Sequence, residues 1–209
     1  MNAHVRANLW LLGLTVLICC VLYPLVLWAI GQGLFPDKAS GSLIVEDGKV
    51  IGSRLIAQPF TRPEYFWPRP SAVSYDAGAS GGSNLSANNP KLRERVAKTL
   101  ADYEKYPSDP KKEVPADLVM ASGSGLDPHI TLQNALYQLD RVVEAWAEKT
   151  KADKAEIRQA IEELLNRLAE APFGGLTGVK LINVLEVNLA LPEALKAVQH
   201  RATGKGGRA

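Results

Sequence analysis

The chain has two cysteines, Cys19 and Cys20, and both lie inside a long apolar run, so the rest of the sequence can form no disulfide and offer no thiolate to a metal. Histidine is nearly as scarce: His4 and His200 sit in the tails, which leaves His129 as the one imidazole in the body of the chain. There is no G-x-x-x-x-G-K-[ST] nucleotide loop, no G-x-S-x-G nucleophile elbow and no internal repeat. Neither sign of charge is in excess. With 24 basic and 22 acidic residues the net charge is +2, and nothing argues for nucleic acid or an anionic surface as partner.

What the sequence does contain is an uncharged run from Leu9 to Ile30. As a helix it reaches ~33 Å, against ~30 Å for the hydrocarbon core of a bilayer. Trp10 and Trp28 place one amphipathic ring near each headgroup layer. The apolar core of a cleaved signal peptide is shorter, ~7 to 15 residues, and Ala29-Ile30-Gly31 is a poor A-x-A site, so the run reads as a retained membrane helix in contact with lipid. Pro24 can kink it, and Gly13, Cys20 and Ala29 form only a loose small-residue stripe, with no GxxxG pair. Arg6 lies nearer its end of the helix than Lys38 does at the other. That favours a cytoplasmic tail, residues 1–8, and a large part outside the cytoplasm. The expected organisation is that tail, a span over 9–30, one extracytoplasmic domain over 34–200, and a disordered tail over 201–209.

Beyond the span, Ser42 to Gln58 reads as two apolar runs joined by Asp47-Gly48, the signature of a type I′ hairpin. Pro59, Pro63, Pro68 and Pro70 then exclude helix and central strand around Tyr65-Phe66-Trp67. Asn89-Pro90 opens a helix to about Tyr103, with Leu92, Val96, Leu100 and Tyr103 on one face. Pro107, Pro110 and Pro115 mark a second irregular connection, with Lys112 in it expected to be exposed. A helix over 132–148 follows from the stripe Leu132, Leu136, Leu139, Val143 and Trp146. Another, over 154–170, follows from the Asp153 cap and from Ile157, Ile161, Leu164 and Leu165. Val179 to Leu191 alternates near Asn183 to Asn188 like a strand. A hairpin, a strand and three covering helices without a β-α rhythm predict an α+β fold.

Two loops ask for an explanation. Ala121 to Ile130, ASGSGLDPHI, sets an acid and an imidazole two residues apart across a proline. A serine hydrolase would use Ser122 or Ser124 as nucleophile, His129 as base and Asp127 to orient it. A metal held by Asp127 and His129 would lack a third and a fourth ligand. The residues alone favour a tight turn whose Ser and Asp side chains bond the local backbone. The second loop, Ser80-Gly81-Gly82-Ser83-Asn84, could turn successive N–H groups toward an anion such as phosphate, or be a flexible turn.

In their order and spacing, the span, Tyr65-Phe66 with Arg69-Pro70-Ser71-Ala72, the SGGSN loop, Asn89-Pro90, Val114-Pro115 with Asp117-Leu118-Val119, ASGSGLDPHI, Gln138 with Arg141-Val142, and Asn183-Val184-Leu185-Glu186-Val187-Asn188 resemble the KdpC family. That family is the C subunit of the bacterial Kdp potassium-transporting ATPase. The resemblance implies a non-catalytic accessory subunit in the cell inner membrane. Its implied partners are a channel-like potassium-translocating subunit and a P-type ATPase subunit, and it is implied to raise that subunit's affinity for ATP. The family likens the SGGSN loop to an ABC-transporter signature, but Ala79 and Ser83 stand here where that signature has Leu and Gln. With the domain outside, the effect on ATP would be indirect. Docking surfaces are expected at the Pro-rich segment (Arg62, Tyr65, Phe66, Trp67, Arg69) and at the loop bearing Ser122, Ser124, Asp127 and His129, since aromatic and Arg side chains dominate interface energetics. For any one of the three aromatics, filling the core beneath the loop is the competing role.

Overall fold

The computed structural model describes residues 2–106, 113–176 and 178–205, with side chains for all of these but Phe173 and 200–205. Pro107, Pro110, Lys112 and the last four residues of the expected tail, 206–209, lie outside the described residues. The fold is α+β, an N-terminal apolar helix followed by a mixed region, and the chain divides into two compact units, 1–53 and 54–209.

In the first unit the apolar helix is longer than the uncharged run. It comprises α1 (Ala3–Val16), a π-helical stretch over Leu17–Leu22 and α2 (Tyr23–Leu34). The helix from Ala3 to Leu34 is long and apolar enough to cross a membrane. The π stretch ends two residues before Pro24, and the Tyr23 N–H bonds the Ile18 carbonyl, five residues back. Widening the helix there relieves the clash of a proline ring with the carbonyl of the preceding turn. A short α3 (Pro36–Ala39) precedes the expected hairpin, β1 (Leu43–Glu46) with β2 (Lys49–Ser53). Asp47 and Gly48 both take positive φ, 49° and 75°, as a type I′ turn requires. The hairpin is shorter than Ser42 to Gln58 and groups with the apolar helix, not with the helices of the second unit.

The second unit holds α4 (Pro90–Glu104), α5 (Ala116–Val119), β3 (His129–Thr131), α6 (Leu132–Thr150), α7 (Lys154–Leu168), β4 (Leu181–Asn183) and α8 (Val184–Lys205). Asn89 accepts from Lys91 N and Asp153 from Ala155 and Glu156 N, the caps that the sequence marks. The strand expected over Asn183 to Asn188 is corrected: β4 ends at Asn183, which caps α8 by accepting from Leu185 and Glu186 N. Val184, Val187, Leu191, Leu195 and Val198 are buried at helical spacing from there on. α8 runs on through residue 201 to Lys205.

β3 and β4 pair antiparallel, His129 opposite Asn183, and each strand feeds straight into a helix. The core lies between α6, α7 and α8, with Val142, Trp146, Ile161, Leu165, Leu191 and Leu195 at its centre. α7 buries the face read from its sequence. The expected stripe of α6 is buried at Leu139, Val143 and Trp146 and packs on the core at Leu132, while Leu136 is exposed; the buried face is wider than that stripe and also carries Asn134, Gln138 and Arg141 beside Ala135 and Val142. No residue of α4 is fully buried.

Candidate functional site

The Pro-rich segment cannot form a ladder, yet it runs through the interior, so its peptide groups need other partners. Buried amide side chains supply them. Asn188 Oδ1 accepts from Phe66 N at 2.8 Å, and its Nδ2 donates to Phe66 O at 2.9 Å. Gln138 does the same for Trp67, at 2.8 and 3.0 Å. Arg141 donates to the Pro63 and Tyr65 carbonyls and to Gln138 Oε1, and Trp146 Nε1 donates to Glu64 O. The guanidinium of Arg141 lies 3.8 Å from the Trp67 ring centre, with Tyr103 and Tyr106 beyond. Burial lowers its pKa to about 10, opposed by the two tyrosines, and it is still charged at neutral pH. Asp117 ties this network to α6, accepting from Thr131 N, Thr131 Oγ1 and Asn134 Nδ2.

These residues place the aromatic triplet. Phe66 is fully buried, so filling the core is its role and a docking contact is not. Trp67 is half-buried, packed against Tyr103 and Tyr106, and Tyr65 is half-buried against Phe60. Arg62 alone of the expected docking residues in this segment is well exposed, its side chain 71 % accessible beside Glu64 and over the Tyr65 ring.

The two glycine loops are joined backbone to backbone. Gly81 N donates to Ser124 O at 2.8 Å, and Ser80 Oγ lies 3.4 Å from the same oxygen. Ser71 Oγ donates to Gly125 O at 2.6 Å while accepting from Val73 and Tyr75 N. Gly125 has φ +73°, and a Cβ there would fall 2.6 Å from Val73 Cγ2 and 2.9 Å from Gly81 O. A Cβ on Gly82 would meet Gly123 O at 3.1 Å. Small residues in both loops are therefore required by close approach. The Gly81 N–H is engaged with Ser124 and is not turned out to an anion; Ser83 is half-buried and Asn84 exposed, at positive φ.

Arg69 clamps the other end of the second loop. Its guanidinium reaches the Met120 and Ala121 carbonyls and stands 3.4 Å from Asp127 Oδ2. Asp127 Oδ1 accepts from His129 N at 3.0 Å and meets His129 Nδ1 at 2.9 Å. Burial pushes the Asp127 pKa up, but the hydrogen bonds from His129 and the charges of His129 and Arg69 outweigh it and hold the carboxyl below its usual range. The His129 side chain is 42 % exposed. Ser122 is buried, and the Ser124 hydroxyl accepts from Leu126 N, so Ser124 is bonded within its own turn rather than to His129. Among the described residues no group of three His, Cys, Asp or Glu stands close enough to hold a metal.

The sequence pairs Asp127 with His129 and offers Arg69 and the SGGSN loop as separate candidates; it is the fold that brings Arg69 to Asp127 and sets SGGSN against ASGSG. Sequence reasoning missed Gln138, Asn188 and Arg141 as the groups that hold the Pro-rich segment. The available signal was Asn134, Gln138 and Arg141 at i, i+4 and i+7, one polar stripe in register with the core face of a helix.

The model of the KdpC family, described as "K+-transporting ATPase, c chain", matches residues 5–193. The potassium-transporting ATPase KdpC subunit of Parvibaculum lavamentivorans is 45 % identical over 186 residues, covering 88 % of this chain and 94 % of that one. The KdpC subunit of Caldanaerobacter subterraneus is 43 % identical over 177 residues, with coverage of 84 % and 88 %. That of Burkholderia vietnamiensis is 42 % identical over 197 residues, with coverage of 93 % and 98 %.

Proposed function

The chain belongs to the KdpC family, the accessory c chain of a potassium-transporting ATPase complex, and we propose that within this complex it catalyses nothing and works by docking. Its partners in this reading are the channel-like subunit that passes potassium and the P-type ATPase subunit. The helix Ala3–Leu34 anchors it in the inner membrane as a single pass, with the second unit on the periplasmic side. ATP affinity of the pump subunit then rises through contact between subunits, as a coupling free energy of ~1–3 kcal/mol, without this chain touching ATP.

The observation that carries the reading is the arrangement around the second loop. The Asp127–His129 pair by itself would suit a triad, since Nδ1 on the carboxylate leaves Nε2 to act as base. Among the described residues, however, no hydrogen bond joins Ser122 or Ser124 to His129: Ser122 is buried, and Ser124 Oγ accepts from Leu126 N within its own turn. The same arrangement braces a half-exposed imidazole on a rigid double loop, which suits a contact surface because little ordering entropy is lost on binding.

The test compares His129→Ala with Ser124→Ala in the assembled, detergent-purified complex. His129→Ala is expected to weaken assembly or raise the ATP concentration needed for potassium-stimulated hydrolysis, while Ser124→Ala assembles and pumps as the parent does. Ester hydrolysis by the purified chain that disappears in both variants would replace this reading with that of a membrane-anchored hydrolase.

A further inference from the structure

The first unit holds a hairpin with an apolar face that no other described residue of that unit buries. Leu43, Val45 and Val50 are 51, 58 and 60 % exposed, and no described residue of this unit is buried. Val45 pairs directly with Val50, and Leu43 lies two residues before Val45 on the same strand, so the three share one face of the ribbon. The irregularity in register between Ile44 and Val45 leaves Ile51 as the extra residue on β2 and does not disturb that alternation on β1. An isolated two-stranded hairpin is marginal in water at best. A second surface must cover this face.

We infer that the Leu43-Val45-Val50 face docks on an apolar extramembrane patch of the membrane-embedded partner subunit that flanks the apolar helix, and so fixes the chain in the complex at the membrane boundary. This rests on the accessory-subunit reading above. Two observations select a protein over lipid headgroups. From Phe35 to Ser53 the charges are Asp37, Glu46 and Asp47 against Lys38 and Lys49, a slightly acidic set that anionic headgroups repel, and the hairpin carries no Trp, Tyr or Phe. The hairpin also follows the helix closely. Gly31 and Ala39 stand close enough that a Cβ on Gly31 would lie 3.5 Å from the Ala39 Cβ, so α3 folds back on the helix end and β1 begins four residues later. A subunit that packs beside the helix is therefore within reach of the hairpin.

The experiment uses the full chain, co-expressed with its partner subunits, carrying Val45→Lys with Val50→Lys, and in parallel Val45→Thr, which keeps a β-branched side chain. The double variant is expected to lower recovery of the chain with the partner subunits about tenfold or more, as a buried unpaired charge would, and Val45→Thr only a few-fold. Unchanged recovery of the double variant while the parent co-purifies would overturn the docking face and leave the accessory role standing; failure of the parent itself to co-purify would sink that role. A fluorophore on Val50→Cys, in a chain whose Cys19 and Cys20 are serine, separates the occupants. A blue shift that appears only on assembly supports a protein partner. One already present in vesicles of phosphatidylethanolamine and phosphatidylglycerol holding this chain alone would assign the face to lipid and overturn the inference.

Discussion

Gln138 stands against Trp67 as a neighbouring strand would, its amide accepting from Trp67 N and donating to Trp67 O. The same side chain accepts from Arg141 and donates to Asn134, so one residue closes four polar groups in the interior. Gln138→Leu has nearly the right volume but leaves those groups unpaired. Since each orphaned buried group costs ~1–3 kcal/mol, a loss of about 3 kcal/mol or more is expected in chemical denaturation of the full chain in detergent. Asn188→Leu, which orphans the two backbone groups of Phe66, should cost somewhat less.

Gly125→Ala should separate the two glycine loops. Its φ of +73° disfavours any side chain, and the new Cβ would meet Val73 and the Gly81 carbonyl, so a cost of about 2 kcal/mol or more is expected. Gly123→Ala, with open space around the added methyl, is the control and should change stability little. Protease cutting within 79–84, faster in Gly125→Ala and unchanged in Gly123→Ala, would report the separation directly.

Alkaline pH offers a third check. Burial pushes the Tyr75 phenol up to about 12, and its hydroxyl donates to Arg69 O at 2.8 Å. A group whose folded pKa is raised contributes stability that is complete below pH ~10 and lost as pH rises through ~12. Tyr75→Phe should therefore cost ~1 kcal/mol near neutrality, for the hydrogen bond, and lose less than the parent between pH ~10 and ~12. Arg141, lowered to about 10, titrates in the opposite sense in this window but is common to both proteins, so the difference isolates Tyr75. Parallel alkaline limbs in the two proteins would contradict this.

The core makes a simpler demand. Leu164 is buried in α7 among the residues shared by α6 and α8, and Leu164→Ala should cost ~2–5 kcal/mol in the same denaturation experiment. A loss under ~0.5 kcal/mol would mean that the face is solvated.

Local signals were readable where they are self-contained. Asp47-Gly48, Asn89-Pro90 and Asp153 each specify a turn or cap through their own backbone and nearest neighbours, and the stripe of α7 repeats at helical period without competition. The segment after Asn183 was not, because Val184-Leu185-Glu186-Val187-Asn188-Leu189 satisfies a period of two as well as one of 3.6, and the cap at Asn183 decides between them. The polar face of α6 was hidden for a different reason. Its partners lie 71 residues away for Gln138 and 122 for the pair Asn188 and Phe66, and nothing local announces that a proline-rich segment will be threaded between two helices and satisfied by side chains. Asp127 and His129 were paired in the sequence while Arg69 stood apart in the Pro-rich segment, because their meeting is a contact across 58 residues. Arg69 also bonds carbonyls of its own fold, so its removal should cost stability as well as any contact.

The last prediction concerns sidedness, on which the route to ATP depends. Arg6 lies close to the start of the apolar helix while Lys38 and Lys49 follow it among acids, which favours a cytoplasmic N-terminus and a second unit outside. Lys98 is exposed on the polar face of α4, within the second unit and away from the loops discussed above, so a cysteine there reports side rather than burial. In a chain with Cys19 and Cys20 replaced by serine, Lys98→Cys should react with a membrane-impermeant maleimide in cells whose outer membrane alone is permeable. Labelling that waits for the inner membrane to be opened would put the second unit in the cytoplasm. The SGGSN loop could then meet ATP directly. With the second unit outside, any change in ATP affinity has to cross the bilayer through the partner subunits, and the coupling should vanish in any variant that assembles without seating His129.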